Sequence, residues 1–318
     1  MDEQLPLGAA RLGPALRRTH GDGRLDLPLP GSGRTLQRWL ALAELAATDL
    51  NLGRLAEAHT DAVAILAELG GPEPRGLWGV WAAEAPGATV HAELTDGGWV
   101  LTGQKAWCSG ALLLDHALIT ARTGELRQLF AVSVADLTPV AGTWAAVGMA
   151  ASQAVTVRLD QVRATPVGAP GAYLSRPGFW HGGAGVAACW YGGALGLARS
   201  LLAAARTGPV DAHALAHLGA VDALVTGMVA HLTLAAAEID ADPAGPGGQL
   251  RAQRVRAHVE AGATEVLSRV GRALGAAPLC RDAAHAQRAA DLPVYLRQSH
   301  AERDLAGLGA LAAQDAAW

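Results

Sequence analysis

The sequence predicts an α+β protein in which a helical region precedes a central β domain and a bundle of four helices follows it. Three observations support this prediction. The apolar residues, 51% of the chain, are mostly Ala and Leu, and aromatic residues reach only 4%, which favours helices. Strand-like runs appear between residues 77 and 167, and long segments of helical period return after residue 171. We therefore expect three units, formed by residues 1–75, 76–170 and 171–318.

The first unit is expected to contain two consecutive helices between Leu36 and Gly70. Apolar residues recur there at intervals of three and four, and the Gly-Gly-Pro ending is a helix stop. A second helix is expected to begin near Asp49, because Asp is a common N-cap and Gly53 weakens a continuous helix.

The β domain is predicted from alternating runs that are separated by Gly, Pro and Asp. The stretch "VHAELTDGGWVLTGQKAW" alternates around an Asp-Gly-Gly turn, which is typical of a hairpin. The runs "DHALITART", "LRQLFAVSVA" and "QAVTVRLDQVRATPV" add further strands. We expect a compact domain of six or seven strands.

The third unit contains four long segments with the period of a helix, at residues 192–208, 211–243, 249–275 and 281–309. The stretch "DPAGPGGQ" forms a clear loop between the second and the third. Four long helices with apolar faces suggest an antiparallel bundle.

Composition argues against several classes of partner. The formal charge of −4, with no block of Lys and Arg, argues against nucleic acid. Three distant cysteines predict neither a disulfide framework nor a zinc site, so a reducing cytoplasm is the simplest location. The acidic start "MDEQLPLGAA" does not resemble a signal peptide, and the most apolar stretch, "VAACWYGGALGLARSLLAAA", is interrupted by Gly and Arg, so we expect no membrane span.

The stretch "GWVLTGQKAWCSGA" at residues 98–111 places Trp107 beside Ser109 at the end of a strand. Two interpretations are open. The indole ring fills the core and Ser109 begins a turn, or the ring is a wall against which a flat molecule lies.

Residues 79–121, "GVWAAEAPGATVHAELTDGGWVLTGQKAWCSGALLLDHALITA", resemble the flavin-facing segment of the acyl-CoA dehydrogenase superfamily. In that family a Thr-Glu-Pro stretch and a Gly-Ser precede a hairpin and an "nGqK.wi(T/S)" strand. Residues 147–167 resemble the ending of the family's β domain, and "YGGALGLARSLLAAA" is similar to its first bundle helix. The resemblance covers roughly residues 36–305. It implies a central β-barrel domain, a C-terminal antiparallel four-helix bundle, bound FAD and assembly as a homodimer or homotetramer.

The resemblance also assigns roles around the flavin. Trp107 would flank the isoalloxazine ring, and Ser109 would donate a hydrogen bond near its N5. Thr89 falls at the family's Gly-Ser position and Ala83 at its Thr, so the contacts at the edge of the cofactor are altered there.

The chain departs from the family at the glutamate that removes the α-proton of the acyl thioester. Anchoring "DLPVYLRQSHAERD" on Tyr295 puts Ser299 at the glutamate position, with His300 next to it. The other location known for this base falls near Val186 and Ala187. Serine has no comparable basicity, whereas His300 can act as a base near neutral pH.

The motifs that hold the adenosine diphosphate part of FAD are also reduced. The family's Arg-x-x-Phe-Gly is absent after the first bundle helix, and its Gln-x-x-Gly-Gly-x-Gly becomes "RALGAAPL". Arg272 and Gly275 keep a trace of it, and Arg272 can still meet a pyrophosphate. FAD affinity is therefore expected to be weakened or lost.

No metal site is expected. His213 and His217 share a helix face at a spacing of four, but a metal site requires a third or fourth ligand and supporting residues.

Three functions stay open at this point. The first is an FAD-dependent oxidoreductase resembling acyl-CoA dehydrogenases, which acts on acyl-CoA or a related small acyl compound. The second is a flavin monooxygenase of the same fold, because "WCSG" and "RQSHAERD" resemble segments in which a serine and histidines handle the reaction with oxygen. The third is a protein of this fold that has lost redox chemistry and binds a ligand or partner.

Overall fold

The computed structural model describes residues 8–315. It begins with three helices, α1 (Ala9–Gly21), α2 (Thr35–Thr48) and α3 (Leu50–Leu69). The predicted break at Asp49 is confirmed, since its carboxylate caps α3 by accepting a hydrogen bond from the backbone N–H of Leu52 at 2.9 Å. Helix α1 was not predicted from the sequence. Most of the N-terminal segment in which we expect no signal peptide lies outside the described residues.

Seven strands follow and form one closed sheet. Their order is β1-β4-β2-β3-β7-β5, the additional pairing of β4 with β5 closes the barrel, and β6 pairs with β7. The predicted hairpin is confirmed, because β2 and β3 pair antiparallel up to the partners Thr95 and Gly98. The strands are β1 (Trp78–Trp81), β2 (Val90–Thr95), β3 (Gly98–Cys108), β4 (His116–Thr123), β5 (Leu126–Ser133), β6 (Thr138–Val140) and β7 (Val155–Val167).

The C-terminal part is helical. Three of the four predicted bundle segments form single long helices, and the fourth is divided in two at residues 297–301, where Ala301 has a positive φ of 48°. The helices are α4 (Ala172–Ser175), α5 (Gly178–Thr207), α6 (Ala212–Ala241), α7 (Gly248–Leu274), α8 (Ala277–Arg281), α9 (Ala283–Leu296) and α10 (Glu302–Asp315).

Helix α5 lies at the centre of the helical part and packs closely against α2. A Cβ atom at Gly192 would collide with the backbone carbonyl of Ala43, so glycine at this position permits the close approach of the two helices. By length and composition alone, α5 and α6 could each cross a membrane. In the most apolar window, 67% of the α5 residues are buried within the protein, against 28% for α6.

Candidate active site

The end of β3 carries a bulge that projects Trp107 to the surface of the barrel. Lys105 pairs with Val157 and Cys108 pairs with Val155, so β3 has one more residue than β7 in this interval. Trp107 adopts a left-handed φ of 58° and is 54% exposed. A bulky residue rarely takes this conformation, and such strain concentrates at functional positions. The alternative that Trp107 fills the core of the barrel is therefore wrong.

Ser109 follows the bulge and is buried. Its backbone N–H donates to the carbonyl of Trp107 at 3.0 Å, and its own carbonyl accepts from Nε1 of Trp81 at 3.0 Å. Both backbone groups are thus fixed, whereas the hydroxyl forms no hydrogen bond with any residue that the structure describes. A positioned hydroxyl therefore lies two residues from an exposed aromatic ring.

Ala83 and Thr89 lie in the connection between β1 and β2. Ala83 is exposed and Thr89 is half-buried. The carbonyl of Thr89 accepts from the backbone N–H of Gln104 at 3.1 Å, and Gly103, with a φ of 134°, leaves no room for a Cβ beside that carbonyl. Thr89 therefore fastens the loop to β3 at Gln104, three residues before Trp107. We call residues 107–110, at this end of β3, the barrel rim.

Lys105 is a buried residue that sequence reasoning missed. Its Nζ donates to Oγ1 of Thr120 at 2.7 Å and lies 3.4 Å from Oε1 of Glu84. Burial lowers the pKa of Lys105, and the charge of Glu84 opposes this effect. The ammonium group links the β1–β2 loop to the barrel from inside.

A buried polar network joins the barrel to the helices beside this rim. Asp291 on α9 accepts hydrogen bonds from the backbone N–H of Met149, from Nε2 of Gln287 at 2.6 Å and from Nδ2 of Asn51 at 2.9 Å. Oδ1 of Asn51 in turn accepts from the backbone N–H of Ser152 at 3.0 Å. The segment around residues 149–152 is thus held by both α3 and α9.

This network reaches the rim directly. The carbonyl of Ser152 accepts from the backbone N–H of Gly110 at 2.6 Å, one residue after Ser109. Burial raises the pKa of Asp291 to about 6, although its three donors act in the opposite direction. The N-terminal helices, the barrel and the bundle therefore meet at the position where the resemblance predicts the flavin.

Ser299 and His300 lie in the break between α9 and α10. Ser299 is buried, and its hydroxyl accepts from the backbone N–H of Ala301 at 3.2 Å. The backbone N–H of His300 donates to Oδ2 of Asp304 at 3.0 Å, and its Nδ1 lies 3.4 Å from Oδ1 of the same carboxylate. Both residues therefore take part in local contacts at the start of α10. Among the described residues, no hydrogen bond or ring contact joins either of them to Trp107 or Ser109.

Arg272 and Gly275 lie at the C-terminal end of α7, and both are exposed. Gly275 ends the helix with a φ of 65°, and its N–H donates to the carbonyl of Gly271 at 2.9 Å. Arg272 forms no ion pair with the part of the chain that the structure describes. The assignment of these two residues to the cofactor stays a prediction.

A second feature missed from the sequence is a buried ionic cluster between α3 and α5. Nη1 of Arg54 lies 2.6 Å from Oε2 of Glu57, and both side chains are largely buried. Burial raises the pKa of Glu57 to about 7, an effect that the charge of Arg54 only partly offsets. The guanidinium of Arg54 also lies 6.0 Å from the ring centre of Tyr295.

The cluster continues toward the end of α3. Arg176, which follows α4, lies 2.6 Å from Oε2 of Glu68 and 3.8 Å from Oδ1 of Asp61. Arg54, Glu57 and Asp61 are spaced by three and four residues on a mostly apolar helix, which is the sequence signal that could have revealed them.

Two cavities lie elsewhere in the molecule. The larger, of about 390 Å³, is largely apolar and lies between α5, α7, α8 and α9, with the buried His285 in its wall. The other, of about 310 Å³, lies between α1, the start of α3 and α9. Neither is lined by Trp107 or by Glu57.

The histidines weighed as metal ligands lie on α6, where His213 is exposed and His217 is half-buried. The described residues contain no group of three or more His, Cys, Asp or Glu side chains arranged to hold a metal ion.

Solved structures show which fold this chain has. It aligns with TdsC from Paenibacillus sp. A11-2 in complex with FMN and indole, with 18% identity, a TM-score of 0.76, and coverage of 95% of this chain and 94% of that one. A nitrososynthase from Micromonospora carbonacea var. africana has 19% identity and a TM-score of 0.77, with 96% and 92% covered. Methanesulfinate monooxygenase MsuC from Pseudomonas fluorescens has 16% identity and a TM-score of 0.74, with 96% and 95% covered.

The predicted fold, with N-terminal helices, a central β-barrel and a C-terminal helical bundle of the acyl-CoA dehydrogenase type, is confirmed by these structures. Their sequence identity to this chain is below 20%, so the similarity concerns the fold alone. No protein-family model and no curated protein matches the sequence.

Proposed function

We propose that this chain is a flavin-dependent monooxygenase that uses FMN and acts on a small, largely apolar substrate. The observation that carries the proposal is that Ser299 stands where the resemblance places the catalytic glutamate of acyl-CoA dehydrogenases, while an exposed Trp107 lies beside Ser109. The monooxygenase, one of the functions left open by the sequence, therefore takes precedence over acyl-CoA dehydrogenation.

The dehydrogenation of an acyl thioester requires a base that removes a weakly acidic α-proton. Ser299 cannot supply this basicity, and its hydroxyl is already bonded to Ala301. Burial raises the pKa of Glu57 to about 7, but this residue is buried against Arg54 and lines neither cavity. Monooxygenation does not require a carboxylate at this position.

The residues at the rim fit a flavin ring. The exposed face of Trp107 suits stacking on a flat heterocycle, and the hydroxyl of Ser109 is a donor without an intramolecular partner in the described chain. A hydroxyl that lies beside the ring tunes where electrons and protons move. When bound in reduced form, the flavin supplies the two electrons that place one atom of O₂ on the substrate and convert the other to water.

FMN fits this chain better than FAD. FMN has no adenosine diphosphate part, so it does not require the motifs that are reduced here to Arg272 and Gly275. Relatives of the same fold support this choice: TdsC is described with FMN, and KijD3 with FMN and a sugar nucleotide.

One of these neighbours suggests a substrate class to test. TdsC is described both as a dibenzothiophene monooxygenase and in complex with indole. We therefore propose an aromatic heterocycle, for which indole is a practical first probe.

Self-association is also part of the proposal. Helix α6 is apolar along its length yet only 28% buried in its most apolar window, and its Leu215 and Leu234 are more than half exposed. A second copy of the chain would cover this surface. A cytoplasmic location stays a proposal, which the three free thiols of the described residues accommodate.

The first experiment measures flavin binding by fluorescence titration with FMN, FAD and riboflavin. We expect FMN to bind most tightly and Trp107→Ala to weaken it about tenfold, the effect of losing one aromatic stacking contact. Trp107→Phe should restore most of the affinity. Leu94→Ala is the control, because Leu94 is 64% exposed on β2, where it pairs with Trp99 at the far end of β3 from Trp107. Native affinity in Trp107→Ala would contradict the stacking role.

The second experiment separates the three functions. Reduced FMN, O₂ and indole should give an oxygenated product, and Ser109→Ala should lower its yield. Anaerobic bleaching of the bound flavin by an acyl-CoA would instead identify a dehydrogenase. A protein that binds none of the three flavins would have lost redox chemistry.

A further inference from the structure

The cavity of about 310 Å³ between α1 and α9 has an unusual lining. One face of α1 forms much of its wall, with Arg11, Ala15 and Arg18 spaced by four and three residues. The adjacent face of α1 places Leu12 and Leu16 in the core, and Ala15 on the wall face is buried as well. The position of this wall is therefore fixed by core packing.

Four arginines line the cavity: Arg11, Arg18, Arg24 and Arg288. The first three form no ion pair and no side-chain hydrogen bond with any other residue between 8 and 315. Arg17 on the same helix behaves differently, since it binds the carboxylate of Asp115 with two hydrogen bonds of 3.0 and 2.9 Å. Three guanidinium groups that have no partner within residues 8–315 thus lie around one cavity, and such a cleft attracts anions.

Arg288 is the most restrained of the four. Its Nε donates to the carbonyl of Ala47 at 3.1 Å, at the end of α2. Burial lowers the pKa of this guanidinium, so an anion would compensate its desolvation. Arg288 is the fixed point of the proposed site, whereas the other three arginines are free to move toward a ligand.

Three aspartates also line the cavity, and two of them have other roles. Asp49 caps α3 through the N–H of Leu52, and Asp291 accepts its three hydrogen bonds in the network at the barrel rim. Asp22 lies at the end of α1. The four arginines therefore outnumber the three carboxylates, two of which accept hydrogen bonds from other parts of the protein.

We propose that this cavity binds a small organic phosphate through its phosphate group. The planar fork of arginine matches the oxygens of a phosphate, and several such contacts act together on a dianion. The volume lies at the lower end of the range for ligand pockets, which suits a sugar phosphate and excludes a dinucleotide. Neither Trp107 nor Ser109 lines this cavity, although Asp291 belongs both to its wall and to the network beside those residues. The proposed phosphate site does not depend on the proposed reaction.

The test compares glucose 6-phosphate, inorganic phosphate and glucose by calorimetric titration of the full-length protein. We expect one saturable site for glucose 6-phosphate, weaker binding of inorganic phosphate and none of glucose. A double variant, Arg11→Gln with Arg18→Gln, should bind glucose 6-phosphate at least about tenfold more weakly. The matched control is Arg158→Gln with Arg163→Gln, two exposed arginines of β7, which should leave the affinity unchanged.

Three results would overturn the proposal. The first is the absence of saturable binding of either phosphate to the native protein. The second is equal affinity for inorganic phosphate and glucose 6-phosphate, which would indicate a site for a free anion. The third is a parallel loss of FMN binding in the Arg11 and Arg18 variant, which would assign the arginines to the flavin. Conversely, Trp107→Ala should bind glucose 6-phosphate as the native protein does, so the two proposals fail independently.

Discussion

Replacement of Asp291 by Asn tests the contact between the helices and the barrel rim. The carboxyl group is 1% exposed, and burial raises its pKa to about 6, above the ordinary value of 3.8. The folded protein thus holds the proton more tightly than the unfolded chain does. The native protein therefore loses stability as the pH rises from 3.8 to about 6, and the full loss is present at higher pH. Asn cannot ionise, so the variant escapes this loss.

The size of the effect follows from the two pKa values. The interval between 3.8 and about 6 corresponds to about 3 kcal/mol, because each tenfold change in acidity is worth ~1.4 kcal/mol. About 2 kcal/mol of this falls between pH 4.5 and pH 7.5. Over that range, the free energy of unfolding of Asp291→Asn should rise by this amount relative to that of the native protein.

Urea unfolding at several pH values, followed by circular dichroism, measures this difference. Comparison at each pH cancels the titration of the other groups. Asp160→Asn is the control, because Asp160 is exposed on β7 and its replacement should give a difference that hardly changes with pH. If the difference for Asp291→Asn were also independent of pH, the reasoning would be refuted. The pKa of Asp291 would then not be dominated by burial over the hydrogen bonds from Asn51 and Met149.

Two further substitutions test packing between the helices by urea denaturation. Arg54→Met should destabilise the protein by about 1–3 kcal/mol, because the buried carboxyl of Glu57, whose pKa is already raised to about 7, loses its hydrogen-bond donor. The exposed Arg75→Met should cost less than about 1 kcal/mol, and equal losses would contradict the burial argument. Gly192→Ala should cost about 1–3 kcal/mol or more, because its Cβ would meet the carbonyl of Ala43. A native midpoint in that variant would show that α5 moves away from α2 without cost.

Local sequence signals predicted those parts of the fold that depend on neighbouring residues. Asp49 marked a helix boundary because an N-cap residue bonds to a backbone N–H only two or three residues later. The Asp-Gly turn of the β2–β3 hairpin likewise involves only about four consecutive residues. The fourth bundle segment was predicted as one helix, since its apolar period continues across residues 297–301. The positive φ of Ala301 and the hydrogen bond from His300 to Asp304 divide it, and periodicity does not report such a break.

The candidate site was predicted only in part for the same reason. The stretch around Trp107 and Ser109 was recognised from its motif, but the bulge that exposes the indole depends on pairing with β7, some fifty residues later. Arg54, Glu57 and Arg176 were missed, because their burial depends on the packing of α3 against α5 and on the position of α4.

The sequence by itself determined the order of helices, barrel and bundle and several caps and turns, because these follow from local chemistry and from the resemblance. The assignment of Ser299 to the family's glutamate position stays a prediction. Tertiary structure alone decided that Asp291 holds the barrel rim, that Glu57 is buried beside Arg54, and that the arginines of α1 face a cavity. These features join residues that lie far apart in the chain. Their pKa values and partners are set by burial and distance, which are properties of the packed molecule.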